Sequence, residues 1–258
     1  MTKFSVNLNK FALLRNARGG ALPDVEAIAR RCIAGGVHGL TVHPRPDERH
    51  ARADDVRMLK RLVADQPRVE LNVEGYPAEA YLALVEETRP HQATLVPDAP
   101  EQLTSDHGWD AKRDGARLVP ILARLRAAQV RSSLFLDPDL EQVEAAARTG
   151  ADRIELYTES WARAFGTPSA NQVLDRFAAA ARRATALGLG VNAGHDLNLQ
   201  NLGPFLAAVP EVLEVSIGHA FICEAFDHTL EGTIDRSLAI LAAQAGGSSL
   251  GHTRVGGA

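Results

Sequence analysis

The chain has 258 residues and a formal net charge of −4, and hydrophobic residues make up 45% of it. The acidic balance and the lack of a basic run argue against nucleic acid as a partner. No stretch approaches the roughly 18 apolar residues of a membrane helix, and MTKFSVNLNKF does not resemble a signal peptide. We therefore expect a cytoplasmic protein with no membrane partner, in which Cys32 and Cys223 are reduced thiols.

Short β-branched runs alternate with longer amphipathic runs along the chain, which predicts eight strands and eight helices. The predicted strands cover residues 4–8, 39–43, 69–73, 93–97, 132–137, 153–157, 190–194 and 214–219. The predicted helices cover residues 23–34, 54–65, 78–88, 111–127, 139–148, 169–187, 199–208 and 222–243.

This alternation indicates an α/β protein with a parallel sheet, either closed into a (β/α)₈ TIM barrel or open and doubly wound. The barrel is favoured because no G-x-G-x-x-G follows the first strand and polar residues follow nearly every strand. We expect one catalytic domain over residues 1–245 and a flexible Gly/Ser-rich tail over 246–258. The long segments 98–110 and 158–168 are typical of lids or extra helices.

Histidines are predicted at the carboxyl ends of three strands. His43, His195 and His219 each end a strand, and His50 lies in the loop after the second. These ends meet on one face of a barrel, where active sites of this fold lie. A structural role is plausible for one such histidine, but three of them favour acid–base chemistry.

Two carboxyls fall on the same face. Glu74 ends the third strand, and Glu155 lies within the sixth. A carboxyl buried in a barrel needs a partner, and burial raises its pKa toward values useful for proton transfer. For Glu155 a structural ion pair with a neighbouring strand is the alternative.

Cations follow the first two strands, which suggests that the substrates are phosphorylated. Arg15 and Arg18 are three residues apart and could form a phosphate clamp or be a solvated pair. Gly218 precedes a predicted helix whose free N–H groups favour an anion. Zinc is the alternative for the histidines, but there is no H-x-H after the first strand, no H-x-x-x-H on a helix, and several cations share this face, so no metal or cofactor is expected.

The motifs taken together resemble the pyridoxine 5′-phosphate synthase family, the ring-closing enzymes of the deoxyxylulose-phosphate-dependent route to vitamin B6. They occur in the family's order and spacing from about residue 5 to residue 245. The motifs are VNLNKFALLRNARGG, GLTVHPRPDERHA, LNVEG, LVPDAPEQLTSDHGWD, SLFLD, IELYT, VNAGHDLN and SIGHAFI.

The resemblance implies a homo-octamer that needs no cofactor and condenses 3-amino-2-oxopropyl phosphate with 1-deoxy-D-xylulose 5-phosphate. It also implies roles for individual residues. The implied proton acceptors are His43 and Glu74, the proton donor is His195, and Glu155 stabilises the transition state. The positions that hold the aminoketone phosphate are Asn7, Arg18, Asp196, Gly218 and His219. The positions that hold the deoxyxylulose phosphate are Asn9, Lys10, Arg45, His50 and Thr104.

The chain departs from the family pattern at two places. Asn9 and Lys10 replace the usual Asp-His pair, so a negative charge is lost and a permanent cation appears. Asp196 replaces a common glycine, and its carboxylate would repel a phosphate unless it is turned away.

Two other functions compete with the synthase. One is a metal-free isomerase or aldolase acting on a sugar phosphate, although no predicted strand ends in the lysine that a Schiff-base aldolase needs. The other is a degenerate barrel that senses phosphorylated metabolites, with Asn9 and Lys10 marking lost catalysis.

Overall fold

Eight parallel strands, each hydrogen-bonded to the next and the last to the first, close into a barrel. This computed structural model describes residues 1–98, 102 and 104–247. The strands are β1 (Lys3–Asn7), β2 (Gly39–Val42), β3 (Glu70–Gly75), β4 (Gln92–Leu95), β5 (Arg131–Leu136), β6 (Arg153–Tyr157), β7 (Gly190–His195) and β8 (Val212–Ile217). The (β/α)₈ prediction is confirmed.

Helices cover the outside of the barrel. They are α1 (Asn9–Asn16), α2 (Val25–Ala34), α3 (Ala53–Val63), α4 (Glu79–Thr88), α5 (Ala111–Ala127), α6 (Leu140–Arg148), α7 (Glu159–Ala164), α8 (Ala170–Ala186), α9 (Leu202–Ala208), α10 (His219–His228) and α11 (Leu230–Gly247). Beyond Gly247, the predicted tail lies outside the described residues.

Three features of the helices differ from the predictions or refine them. The helix α1 was not predicted, and α7 falls in the segment 158–168, where an extra helix was one of two expectations. The predicted helix 222–243 is divided into α10 and α11 because Thr229 has a φ of 63°, which helical backbone cannot adopt.

His219 does not end a strand, contrary to the prediction. The strand β8 ends at Ile217, and Gly218, with φ −126° and ψ −69°, turns the chain so that His219 is the first residue of α10. The side chain still lies at the carboxyl end of the barrel, because α10 begins there.

The hydrophobic core is a shell between the strands and the helices. Outward-facing strand residues such as Val6, Leu40 and Val73 are fully buried there, together with helix residues such as Phe177. Phe177 of α8 and Phe205 of α9 pack edge to face with ring centroids 5.3 Å apart. Aliphatic side chains dominate this shell, as the low aromatic content predicted.

The inside of the barrel is polar. Ser5 of β1 hydrogen-bonds Thr41 of β2 at 2.8 Å, and Thr94 of β4 donates to Asn72 of β3 at 3.0 Å. The Asn192 amide of β7 reaches Gln92 Oε1 of β4 across the interior at 3.4 Å. Along most strands an apolar residue toward the helices therefore alternates with a polar residue toward the axis, whereas the apolar Phe135 of β5 faces the interior.

The amino-terminal mouth of the barrel is held by structural contacts. His38 Nδ1 accepts from the backbone N–H of Phe4 at 3.1 Å, and His91 Nδ1 accepts from Leu71 at 2.9 Å. Glu70 forms ion pairs with Lys3 and Arg131. These residues precede or begin their strands, so they lie away from the carboxyl-end mouth.

Among the described residues, no helix combines the length and the apolar character that crossing a membrane requires.

Burial in this shell predicts that two leucines contribute differently to the free energy of unfolding. Leu122 of α5 is 1% exposed, whereas Leu140 at the start of α6 is 49% exposed. We expect Leu122→Ala to lower the free energy of unfolding by about 2–5 kcal/mol, because it leaves a cavity. Leu140→Ala should change it by less than about 0.5 kcal/mol. Urea unfolding followed by circular dichroism measures both, and equal losses would contradict the burial described here.

Candidate active site

A cavity of about 350 Å³ opens at the carboxyl-end mouth of the barrel. It brings together every residue that the sequence analysis assigned to the site except Arg18. The lining residues from that set are Asn7, Asn9, Lys10, His43, Arg45, His50, Glu74, Thr104, Glu155, His195, Asp196, Gly218 and His219. They come from seven of the eight strands or the segments that follow them, so closure of the barrel is what assembles the cavity.

Glu74 lies at the centre of one half of the cavity. Its Oε2 accepts from Asn7 Nδ2 at 3.3 Å and lies 3.9 Å from His43 Nδ1. The side chain is 13% exposed, and burial raises its pKa to about 7 against the opposing charge of His195. Glu74 can therefore both accept and release a proton near neutral pH.

Two asparagines connect β1 to His43. Asn7 Oδ1 accepts from the Asn9 backbone N–H at 3.0 Å, and Asn9 Oδ1 accepts from the His43 backbone N–H at 2.7 Å. Asn9 therefore also helps to place a predicted proton acceptor. Burial, with the charges of Arg45, His50 and Arg49, lowers the pKa of His43 well below its ordinary value. The imidazole is neutral and able to accept a proton.

Glu155 occupies the floor of the cavity and is 3% exposed. Its Oε2 has no hydrogen-bond partner within the described part of the chain, and no ion pair there involves it. Burial, together with the charges of Glu74 and Glu214, raises its pKa well above the ordinary carboxyl value. Burial and these neighbouring charges favour the protonated, neutral form of Glu155.

Gly194 makes room for Glu155. A Cβ built on Gly194 would overlap Glu155 Oε1, so no other residue fits at this position without moving the carboxyl group. The glycine of the NAGHD motif therefore fixes where the acid lies in the barrel.

His195 is held between two side chains at the end of β7. Its Nδ1 lies 2.7 Å from Asp196 Oδ2, and its Nε2 lies 3.0 Å from Thr104 Oγ1. The Tyr157 ring meets the imidazole edge to face at 5.1 Å between centroids. The φ of His195 is 95°, a strained conformation for a residue with a Cβ, of the kind that collects at functional sites.

The opposite wall is cationic. Burial, and then the charges of Arg45 and Arg49, lowers the pKa of Lys10. Burial, and then the charge of Lys10, lowers the pKa of His50 to about 4, so this ring is neutral. His50 Nδ1 is buried and has no hydrogen-bond partner in the described ranges. The wall combines permanent cations with a neutral hydrogen-bonding ring, which suits a phosphate group.

Arg45 is anchored by residues that the sequence analysis did not assign. Arg45 Nη2 donates to Asp98 Oδ2 in a buried ion pair, and Arg45 Nη1 donates to the Gln102 carbonyl at 2.8 Å. Ser105 Oγ donates to the same Asp98 oxygen at 2.8 Å. Asp98 follows β4 in VPDAP, and this position after a strand is the sequence feature that could have assigned it to the site. Three further lining residues were missed as well: Val96, Phe135 and Ser216.

Arg15 and Arg18 do not form a paired clamp here. Arg15 donates to both carboxylate oxygens of Asp55, at 2.6 and 2.8 Å, and so ties α1 to the start of α3. Arg18 lies in the exposed turn after α1 and does not line the cavity. The assignment of Arg18 to a phosphate stays a prediction.

Gly218 brings the start of α10 against β1. A Cβ on Gly218 would lie 3.0 Å from the Asn7 Cβ, so a larger residue would push α10 and its free N–H groups away from the cavity. Ser216 Oγ, two residues earlier in β8, is buried and has no hydrogen-bond partner in the part of the chain described. This end of the cavity therefore presents hydrogen-bonding groups suited to an anion.

Over residues 1–98, 102 and 104–247, no group of three or more His, Cys, Asp or Glu side chains is arranged to hold a metal ion.

Comparison with known proteins gives close relatives over almost the whole chain. Residues 4–243 match the profile of the family described as "Pyridoxal phosphate biosynthesis protein PdxJ". A pyridoxine 5′-phosphate synthase of Xanthomonas campestris pv. campestris is 54% identical over 248 residues, 93% of this chain and 96% of that protein. One from Albidiferax ferrireducens is 50% identical over 246 residues, with 93% and 98% covered.

Solved structures with distant sequences share the fold. A tryptophan synthase from M. tuberculosis superposes with a TM-score of 0.62 at 11% identity, covering 93% of this chain and 92% of that one. An aldolase for 4-hydroxy-2-oxoglutarate superposes with a TM-score of 0.58 at 16% identity, covering 92% and 94%. At such identities the likeness concerns the barrel alone.

The raised pKa of Glu74 predicts a pH-dependent stability. Between pH 4.5 and about 7 the folded protein keeps a proton on Glu74 that the unfolded chain has released, so stability falls as pH rises through this window. Glu74→Gln removes this titration. We expect its unfolding free energy, relative to the unsubstituted protein, to be about 1–3 kcal/mol more favourable at pH 8 than at pH 5.

Urea unfolding at both pH values measures this difference. Glu159→Gln, on the partly exposed helix α7, is the matched control and should show the same difference from the unsubstituted protein at both pH values. A Glu74→Gln difference that does not change with pH would contradict the buried, proton-holding Glu74.

Proposed function

Because this chain belongs to the PdxJ family, we propose that the cavity at its barrel mouth is the active site of pyridoxine 5′-phosphate synthesis. The chain is an enzyme of vitamin B6 biosynthesis, and it catalyses the reaction of its family. That reaction condenses 3-amino-2-oxopropyl phosphate with 1-deoxy-D-xylulose 5-phosphate and releases inorganic phosphate and water. Its substrates are small phosphorylated molecules.

The two substrates need two anion seats, and the cavity has a suitable wall on each side. The first seat, for the aminoketone phosphate, is formed by Gly218 and His219 at the start of α10, beside Asn7. Helix α10 points its free N–H groups there. The assignment of Arg18 and Asp196 to this seat rests on the family resemblance.

The second seat, for the deoxyxylulose phosphate, lies on the cationic wall. Lys10 supplies a charge, His50 supplies a neutral ring with an unpartnered buried Nδ1, and Arg45 is kept nearby by Asp98. Asn9 and Thr104 line the same cavity. Lys10 replaces the family's histidine with a cation, which favours a phosphate dianion.

Joining an amine to a ketone, losing phosphate and closing an aromatic ring require repeated proton transfers. His43 is neutral, and the pKa of Glu74 is about 7, so both can remove protons at neutral pH. We assign them the proton abstractions during condensation and phosphate loss. His195, across the cavity, protonates the hydroxyl that leaves as water. Each such group contributes roughly a hundred- to ten-thousand-fold.

Glu155 acts as a neutral acid beneath the reacting atoms. Because its proton is retained, it can donate a hydrogen bond to negative charge that develops on a substrate oxygen. This is the role of a transition-state stabiliser.

One observation carries the proposal: Glu74, Glu155, His43 and His195 line the same 350 Å³ cavity. The proposal also includes a cytoplasmic homo-octamer that needs no metal or organic cofactor and binds neither nucleic acid nor membranes. These points rest on the family resemblance and the composition of the chain.

The assay mixes the purified protein with both substrates and follows pyridoxine 5′-phosphate and free phosphate. We expect His43→Asn to lower turnover at least about a hundredfold, because a proton acceptor is lost. Its thermal midpoint should change little. His91→Asn is the matched control at the opposite mouth of the barrel and should keep its turnover.

Full turnover in His43→Asn would refute the role of His43. Binding of both substrates without product would support the metabolite sensor instead. Turnover that a chelator abolishes would support a metal enzyme.

A further inference from the structure

The carboxylate of Asp196 contacts the imidazole of His195 at the mouth of the cavity. Its Oδ2 lies 2.7 Å from Nδ1 of His195, the preceding residue. A glycine, which the family commonly has here, could not make this contact. The charge that would have repelled a substrate phosphate is therefore directed at an imidazole.

The backbone of Asp196 is fixed on both sides. Its N–H donates to Thr158 Oγ1 at 3.3 Å, and its carbonyl accepts from Asn201 Nδ2 at 3.2 Å. Thr158 is itself buried and bonded to the Gly194 carbonyl at 2.8 Å. These contacts connect β6, β7 and the turn before α9, so the carboxylate is held on rigid elements rather than on a free loop.

The partners of His195 determine which nitrogen carries the proton. An ionised carboxylate can only accept, so Nδ1 must donate to Asp196. In the neutral ring Nε2 is then the acceptor, and Thr104 Oγ1 can donate to it at 3.0 Å. In the protonated ring Nε2 carries the second proton and points it into the cavity. Nε2 is therefore the nitrogen that exchanges protons with a substrate.

We propose that Asp196 is a positioning residue that holds His195 with its Nδ1 protonated and supports the charged ring as a proton donor. This inference rests on the proposed function. In the step it serves, Glu74 or His43 removes a proton from the atom next to the C–OH carbon, and a double bond forms between these two atoms as the C–O bond breaks and its electron pair goes to oxygen. The oxygen takes the Nε2 proton and leaves as water, and His195 becomes neutral. Asp196 takes no proton, as a carboxylate that only orients an imidazole does not.

The kinetic test compares four variants with the unsubstituted protein, using the same two substrates. Asp196→Asn keeps the size of the side chain but removes its charge, and it lets Nδ1 lose its proton. We expect kcat to fall about 10- to 100-fold and KM for either substrate to change less than about threefold. Asp175→Asn, exposed on α8, is the matched control and should leave both constants unchanged. The double variant His195→Asn/Asp196→Asn should be no slower than His195→Asn alone, because Asp196 acts through the ring.

A second measurement does not depend on turnover. Nitrogen NMR of protein labelled with ¹⁵N-histidine, with the His195 signals assigned by their loss in His195→Asn, reports which ring nitrogen is protonated. We expect the neutral ring to carry its proton on Nδ1, and Asp196→Asn to move part of the population to Nε2.

The outcomes separate this inference from the function it rests on. No product from the unsubstituted protein would overturn the proposed function, and NMR would still decide the role of Asp196. The role of Asp196 would be overturned by an unchanged kcat in Asp196→Asn or by a change confined to KM. It would also be overturned if Asp196→Asn lowered kcat as much in the His195→Asn background as in the unsubstituted protein. A further contradicting result is a neutral His195 ring that carries its proton on Nε2 in the unsubstituted protein.

Discussion

Two buried carboxyl groups in one cavity are the constraint on which the site depends. Glu74 and Glu155 are close enough for the charge of Glu74 to raise the pKa of Glu155, and burial raises both. Ionising both would put two negative charges in the same low-dielectric space. Asn7 donates a hydrogen bond to Glu74, which favours its ionised form, whereas Glu155 Oε2 has no hydrogen-bond partner among the described residues. One group exchanges protons near neutral pH while the other stays an acid.

The barrel brings the two carboxyl groups together, and it also allows them to be buried without loss of the hydrophobic core. Alternation along the strands places Asn72 and Glu74 of β3 toward the axis and Leu71 and Val73 toward the helices. Many polar groups of the interior bond between strands, although Glu155 Oε2 and Ser216 Oγ have no partner among the described residues. The apolar shell outside carries the stability. The inner face of the strands carries the reactive groups and the outer face packs against the helices. Reactive groups can therefore be buried at the mouth of the barrel without interrupting the hydrophobic core.

Much of this arrangement was predictable from the sequence, because strand ends in a parallel barrel meet at one face. His43, Glu74 and His195 follow from that rule alone, without any contact being known. The roles of Asn9 and Asp98 were not predictable in this way. Asn9 supports His43, 34 residues along the chain, and Asp98 pairs with Arg45 across 53 residues. Contacts over such separations leave no local pattern in the sequence.

Two differences between expectation and structure have local physical causes. His219 was predicted to end a strand, but β8 ends two residues earlier, at Ile217, and the backbone at Gly218 starts a helix. Arg15 looked like a partner for Arg18, but Asp55 of α3 binds its guanidinium group in a bidentate ion pair. Ser5 and Asn7 stand at alternate positions of the first strand, and this period of two indicates that one face of the strand is polar.

The central claim is that Glu155 keeps its proton at a pH where Glu74 has lost its own. Infrared spectroscopy of the protein at pH 8 tests it directly, because a protonated carboxyl group has a C=O stretching band that an ionised one lacks. The account predicts a band that is absent in Glu155→Gln and retained in Glu74→Gln. A spectrum in which Glu155→Gln removes no protonated-carboxyl band would contradict it.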